Sequence, residues 1–214
     1  MPHPPPRLYV ISDRRVAGGA APMLDALRRV AAALPPGFLA VQIREKDLAP
    51  REVVALARAA VEALAPWDVP VLVNDRFDLA MAAGAAGVHL SSSGLDPADV
   101  RKAYDGLVAI STHRAAELSR LRPVDVDFAV FGPVFDTPSK RPFGPPQGVE
   151  TLRRAVEASG VPVVALGGIH RDNAALLSGT GIAGIASISA VLCAPDPARA
   201  ARLLADAALA AGHR

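Results

Sequence analysis

The sequence is short of cysteine, of charge of one sign and of long apolar runs. Its only cysteine is Cys193, which excludes an internal disulfide framework and a cysteine-based metal cluster. Cys193 itself reads as a small core or helix-start residue. Lysine and arginine total 23 against 21 acidic residues, a formal net charge of +2. With no long basic run, that balance gives no argument for nucleic acid as a partner. No stretch approaches the roughly 18 uninterrupted apolar residues of a membrane-spanning helix. Residues 1–7 (MPHPPPR) carry no apolar signal core and read as a disordered proline-rich tail. A cytoplasmic location is therefore expected.

What the sequence does have is an apolar majority, 51% of 214 residues, rich in Ala, Val and Leu. That is enough for one domain with a full core over residues 8–214. Short continuous apolar runs alternate with segments of helical spacing. The runs are Leu8–Ile11, Phe38–Ile43, Pro70–Val73, Gly87–Leu90, Leu107–Ser111, Phe128–Phe131, Val163–Leu166 and Gly184–Ser189. Helices are expected over Pro22–Leu34, Pro50–Leu64, Phe77–Ala83, Pro97–Ala103, Ala115–Leu121, from about Gly148 to Ala158, Asn173–Leu177 and Pro197–Ala211. Runs without polar alternation suit parallel strands buried on both faces. Eight strand–helix pairs predict a closed (β/α)8 TIM barrel, with an open doubly wound sheet as the alternative.

Chemistry in such a barrel sits just past the strands' C-terminal ends. The second strand leads into Gln42-Ile43-Arg44-Glu45-Lys46. If the strand persists, Gln42, Arg44 and Lys46 share one direction and suit a polyanion such as diphosphate. The alternative is a solvated loop with a Glu45 ion pair. Asn74 and Asp75 follow the third strand; a carboxylate beside an amide can hold Mg²⁺ on a substrate phosphate, or simply cap a helix. His89 lies inside the fourth strand, where a hydrogen-bonded core histidine is the commoner case. Ser111 and His113 follow the fifth. A long Pro/Gly loop after the sixth carries Thr137, Ser139 and Lys140, a second anion-binding cluster, and its length suits a lid.

The stretch VVALGGIHRDNAALLSGTGIAGIASIS ends the barrel. Gly167 and Gly168 let the backbone approach a ligand closely. With Ile188 and Ser189 ahead of the next helix, they occupy the usual phosphate position of a TIM barrel. A plain tight βα turn is the bland alternative.

Taken together, these pieces resemble the thiamine-phosphate synthase and TenI-type thiazole tautomerase family. The matching motifs are Gln42 to Lys46, Val73 to Arg76, Gly87 to Leu90, Ser111 to His113, Gly132 to Phe135, Thr137 to Lys140, Ala165 to Ile169 and Ile188-Ser189. The resemblance implies a TIM barrel, often dimeric, acting on phosphorylated small molecules. The synthase condenses hydroxymethylpyrimidine diphosphate with thiazole phosphate and releases diphosphate. By motif, Gln42, Arg44, Lys46, Asn74, Ser111 and Lys140 would bind the pyrimidine diphosphate. Arg44, Lys46 and Lys140 would also take up the leaving charge. Thr137, Ser139, Gly168, Ile188 and Ser189 would bind the thiazole phosphate, and Asp75 would ligate Mg²⁺.

Two departures stand out. The synthase pattern after the fourth strand carries a second metal-binding aspartate where this chain has Gly94; Asp96 is the nearest replacement. The tautomerase pattern has its catalytic histidine where this chain has Pro133. The expectation is a thiamine-phosphate synthase using Mg²⁺. The alternatives are a tautomerase with His89 or His113 as its acid/base, and a silent barrel that binds a thiamine intermediate.

Overall fold

Eight parallel strands close on themselves in sequence order, with β1 paired to both β2 and β8. The computed structural model describes residues 4–137, 141 and 144–212. The strands are β1 (Leu8–Ile11), β2 (Leu39–Ile43), β3 (Val71–Asn74), β4 (Gly87–Leu90), β5 (Leu107–Thr112), β6 (Phe128–Phe131), β7 (Val163–Leu166) and β8 (Gly184–Ser187). Helices follow as α1 (Ala20–Ala33), α2 (Pro50–Leu64), α3 (Phe77–Ala83), α4 (Pro97–Arg101), α5 (Ala115–Leu118), α6 (Gly148–Ala158), α7 (Ser189–Leu192) and α8 (Pro197–Gly212). A 3₁₀ turn over Ala174–Leu177 stands where β7 would have its helix. The fold is the expected single-domain TIM barrel. None of its helices, among the described residues, is long and apolar enough to cross a membrane.

The strands bury nearly every side chain because each has two partners to cover. Their outward residues meet the helices, as Val10, Val41 and Val73 do. Met23, Leu27 and Val30 return one face of α1 to this layer at helical spacing. Their inward residues form a second, smaller cluster inside the barrel, where Tyr9 and Phe128 meet edge to face at 5.2 Å. Register makes room for the Tyr9 ring: its Cα partners on β2 and β8 are Ala40 and Ala186. Large beside small is how a tapered interior fills without voids.

Some boundaries differ from expectation. β8 stops at Ser187, and Ser189 opens the four-residue helix α7 instead of ending the strand. Ile188 breaks the extended run at φ −114 and ψ −89. Pro4 to Arg7, in the stretch expected to be a disordered tail, lie against the barrel's N-terminal face. Pro6 is buried there and the Arg7 guanidinium donates to the Ala183 carbonyl at 2.9 Å.

Gly184 fixes that closure, because a Cβ on it would stand 2.0 Å from the Pro6 carbonyl oxygen. Gly184→Ala is expected to cost about 1–3 kcal/mol through overpacking, a fall in Tm of about 2–4 °C per kcal/mol at this size. A thermal melt within a degree of wild type would show that the contact is not tight.

Candidate active site

The β2 loop carries the first expected cations. β2 ends at Ile43, so Arg44 and Lys46 do not continue its alternation as they would in a longer strand. The Arg44 N–H leaves the ladder and donates to the Ser12 hydroxyl at 2.8 Å. Gln42 remains in the strand, fully buried, and its amide donates to Asn74 Oδ1 at 2.9 Å. Glu45 is buried and accepts from the Ser12 hydroxyl and from Arg14. Arg14 also holds the Asp47 carboxyl well below its usual range by direct hydrogen bonding.

Asn74 passes the contact on. Its Nδ2 donates to Asp75 Oδ2 at 2.9 Å, while Asp75 Oδ1 accepts the Ser91 N–H at 2.6 Å. Asp75 adopts a left-handed backbone at φ 58, a conformation Asp tolerates better than most residues. Gly94 lies against it: a Cβ there would be 3.2 Å from Asp75 Oδ1 and 3.0 Å from Ser91 Oγ. The position where the resemblance implies a second carboxylate therefore adjoins the first. Asp96 is engaged otherwise, capping α4 by accepting from the Ala98 N–H at 2.8 Å. Lys46, Asn74 and Asp75 line one cavity of about 360 Å³ between the β2 and β3 loops.

Beneath this rim runs a buried chain from Tyr9 through His89 to Ser111. Tyr9 Oη lies 3.1 Å from His89 Nδ1, and Ser111 Oγ 2.9 Å from His89 Nε2. The Tyr9 and His89 rings also stack at 5.6 Å. The arrangement that leaves no buried proton unpaired has Tyr9 donating to Nδ1 and Nε2–H donating to Ser111. The Ser111 hydroxyl is then free to donate toward a ligand. Burial pushes the His89 imidazole down to about 3, so it is neutral at ordinary pH. His113 is occupied elsewhere: its Nδ1–H donates to the Gly132 carbonyl at 2.7 Å.

On the opposite side, Gly167 and Gly168 both have positive φ, 107 and 64. Their missing side chains leave room for protein as well. A Cβ on Gly167 would stand 2.5 Å from Pro133, and one on Gly168 2.5 Å from the Asp136 carbonyl. The β6 loop thus lies directly on the glycine turn, and Asn173 Nδ2 fixes the Gly168 carbonyl at 2.8 Å. Asn173, expected as the first residue of a helix, instead stands just ahead of the 3₁₀ turn, with its side chain on the glycine turn. Ser189 begins α7, where N–H groups have no intrahelical partner, and Ile188 packs between the inner and outer cores. Thr137 is half-buried, with its hydroxyl donating to the Phe135 carbonyl at 3.3 Å. Ser139 and Lys140 lie outside the described residues. A larger cavity, about 560 Å³, is lined by residues such as His170, Arg199 and Leu203 and by none of the expected ones.

A closed parallel barrel with cations, amides and a carboxylate gathered at the C-terminal rim defines the class, a (β/α)8-barrel enzyme. Comparison narrows it. The pattern of the thiamine monophosphate synthase family matches residues 8–191. The thiamine-phosphate synthase of Albidiferax ferrireducens is 40% identical over 206 residues, 94% of this chain and 92% of that one. The thiamine-phosphate synthase of Roseiflexus sp. is 38% identical over 199 residues, 92% and 83% of the two chains. Thiamine phosphate pyrophosphorylase from Pyrococcus furiosus superposes with a TM-score of 0.82 at 31% identity, covering 95% of each chain. 3-Hexulose-6-phosphate synthase from Salmonella typhimurium, at 19% identity and TM-score 0.71 over 97% and 100% of the chains, shares the fold alone. The chain belongs to the thiamine monophosphate synthase family.

The neutral His89 sets a pH dependence. Its folded pKa, about 3, lies below the unfolded value near 6.5. The unfolded chain binds the proton first, so stability is full above about pH 6.5 and is lost as pH falls toward about 3. Between about pH 7.5 and about pH 5, urea unfolding of wild type should lose about 2 kcal/mol more than that of His89→Gln. Equal losses would mean His89 is protonated in the folded state.

Proposed function

We propose that this chain is a thiamine-phosphate synthase, condensing hydroxymethylpyrimidine diphosphate with thiazole phosphate and releasing diphosphate. The observation that carries the reading is the Arg44 guanidinium. It is half-buried at the barrel rim with no acceptor among the described residues, and Lys46 follows it on the cavity that Asn74 and Asp75 line. A barrel that held only a monophosphate at the glycine turn would have no use for this second cationic cluster. Departure of diphosphate breaks the bond to the pyrimidine methylene and leaves positive charge there. The barrier falls as Arg44 and Lys46 take up the charge of the departing group. Lys140 is assigned the same role, and Gln42, Asn74 and Ser111 orient the pyrimidine side. Gly168, Ile188 and Ser189, with Thr137 and Ser139, receive the thiazole phosphate.

The donor set fits Mg²⁺ of one kind only. No group of three or more His, Cys, Asp or Glu side chains that could hold a metal occurs among the described residues. Asp75 offers one carboxylate, each oxygen already accepting one hydrogen bond and retaining further lone pairs. Mg²⁺ commonly takes one or two carboxylates and completes its octahedron from phosphates and water. Asp75 would hold the ion against the substrate's phosphates, where its charge would offset that of the leaving group. The proposal extends to a homodimer in the cytoplasm, which sizing by light scattering and fractionation would read.

The tautomerase alternative needs a histidine to move protons. His89 is held on both ring nitrogens, which leaves it no free nitrogen for a substrate proton. His113 holds a carbonyl through Nδ1 and keeps Nε2 as the one candidate base for that alternative among these two.

The test is incubation with both substrates and Mg²⁺, assaying thiamine phosphate and diphosphate. Arg44→Ala is expected to lower kcat/KM by about 10²–10³, the usual effect of losing one preorganised electrostatic contact. Asp75→Ala should abolish turnover, and Gly94→Asp should raise it at limiting Mg²⁺. If neither wild type nor Gly94→Asp makes product at saturating Mg²⁺, the synthase reading is wrong.

A further inference from the structure

The loop Arg44-Glu45-Lys46-Asp47 alternates cation and anion. Left to itself, such a segment pairs its own charges, and a self-neutralised loop attracts an anion weakly. The fold sends the two carboxylates elsewhere. Glu45 Oε1 accepts the Ser12 hydroxyl at 2.7 Å and the Arg14 N–H at 3.0 Å, and its Oε2 accepts Arg14 Nη1 at 2.8 Å. Asp47 accepts the same Nη1 at 2.8 Å, forms a close ion pair with Arg14 Nη2, and pairs with Arg15 Nη2 at 3.0 Å. The Ser12 hydroxyl meanwhile accepts the Arg44 N–H, which ties the carboxylate clamp to the cation's own backbone. Arg44 and Lys46 keep no carboxylate partner among the described residues.

We propose that Arg14 is a positioning residue: by taking up Glu45 and Asp47 it reserves Arg44 and Lys46 for a diphosphate group. A planar guanidinium suits the task because Nη1 and Nη2 together grip Asp47 while Nη1 also reaches Glu45, a two-nitrogen fork that lysine's single ammonium cannot reproduce. Arg14 comes from the β1 loop, so the closure of β1 on β2 also decides which loop charges face a ligand. The diphosphate as ligand rests on the synthase reading, whereas the clamp rests on the contacts alone.

The probe is inorganic diphosphate in the presence of Mg²⁺, with binding measured by calorimetry on the full chain at fixed ionic strength. Arg14→Ala is expected to weaken binding at least about tenfold, because Asp47 is then free to pair with Lys46 or Arg44. Adding Asp47→Asn to Arg14→Ala should restore binding to within about threefold of wild type, since the competitor is gone. A purely structural role would leave the double variant as weak as the single one, and that result overturns the proposal. Asp47→Asn alone gives a second reading that does not depend on Arg14→Ala folding. With Arg14 already holding the carboxylate, it should change affinity less than about twofold. A larger tightening would show that Asp47 competes in the intact protein and would overturn the proposal, as would a wild type that binds no diphosphate. Lack of turnover with bound diphosphate would instead count against the synthase reading and leave the clamp standing.

Discussion

Everything at the rim depends on β1 pairing with β8 as well as with β2. That pairing turns a row of parallel strands into a ring. Once the ring is closed, residues far apart in sequence have no choice of side. Gln42, Asn74, His89, Ser111 and Gly168 all lie at or just past C-terminal strand ends, so they share one mouth. The closure itself is held by modest means: small residues beside Tyr9, and the Pro6 carbonyl lying where Gly184 has no side chain.

Inside the ring the chemistry changes with height. The lower interior is apolar and filled by Tyr9, Phe128 and their small neighbours. The upper interior is polar, yet its groups are paired: Gln42 with Asn74, Asn74 with Asp75, His89 with Tyr9 and Ser111. Buried polar groups are costly when unpaired, so two hydrogen-bonded chains are the form in which they persist. Their result is rigidity directly under the rim. Tyr9 belongs to both regions, with its ring packed among the apolar residues and its hydroxyl engaged in the polar chain.

Much of this was legible in the sequence, for physical reasons. Continuous apolar runs report strands buried on both faces, and they located all eight strands. Ends were less legible where side chains decide them. Nothing in Gln42-Ile43-Arg44 announces that Arg44 will bond the Ser12 hydroxyl in place of a ladder carbonyl, because Ser12 is 32 residues away. The weak point at Gly184–Ser189 was similar, since the chain turns into α7 at Ile188 without a proline or glycine to mark it. The paired glycines were read for ligand approach, whereas much of the space beside them is taken by the β6 loop. A motif gives the residue type a position needs; it does not say which neighbour imposes the need.

The acidic residues of the β2 loop carry that point further. By composition the loop is neutral, two cations and two anions in a row, and counting charge would give it no affinity for phosphate. Affinity depends on which charges remain unpaired at the mouth. Glu45 and Asp47 are held by Arg14, with Ser12 on Glu45 and Arg15 on Asp47, so the loop's net field at the rim is that of Arg44 and Lys46. Removing the carboxylates from the sequence would leave Arg14 and Arg15 unpaired, and the loop would lose the bonds that fix it to the β1 loop. Pairing them away from the rim keeps those bonds. The buried end of that arrangement, Glu45, is anchored by backbone, hydroxyl and guanidinium donors together, so neither oxygen of the buried carboxylate is left without a partner.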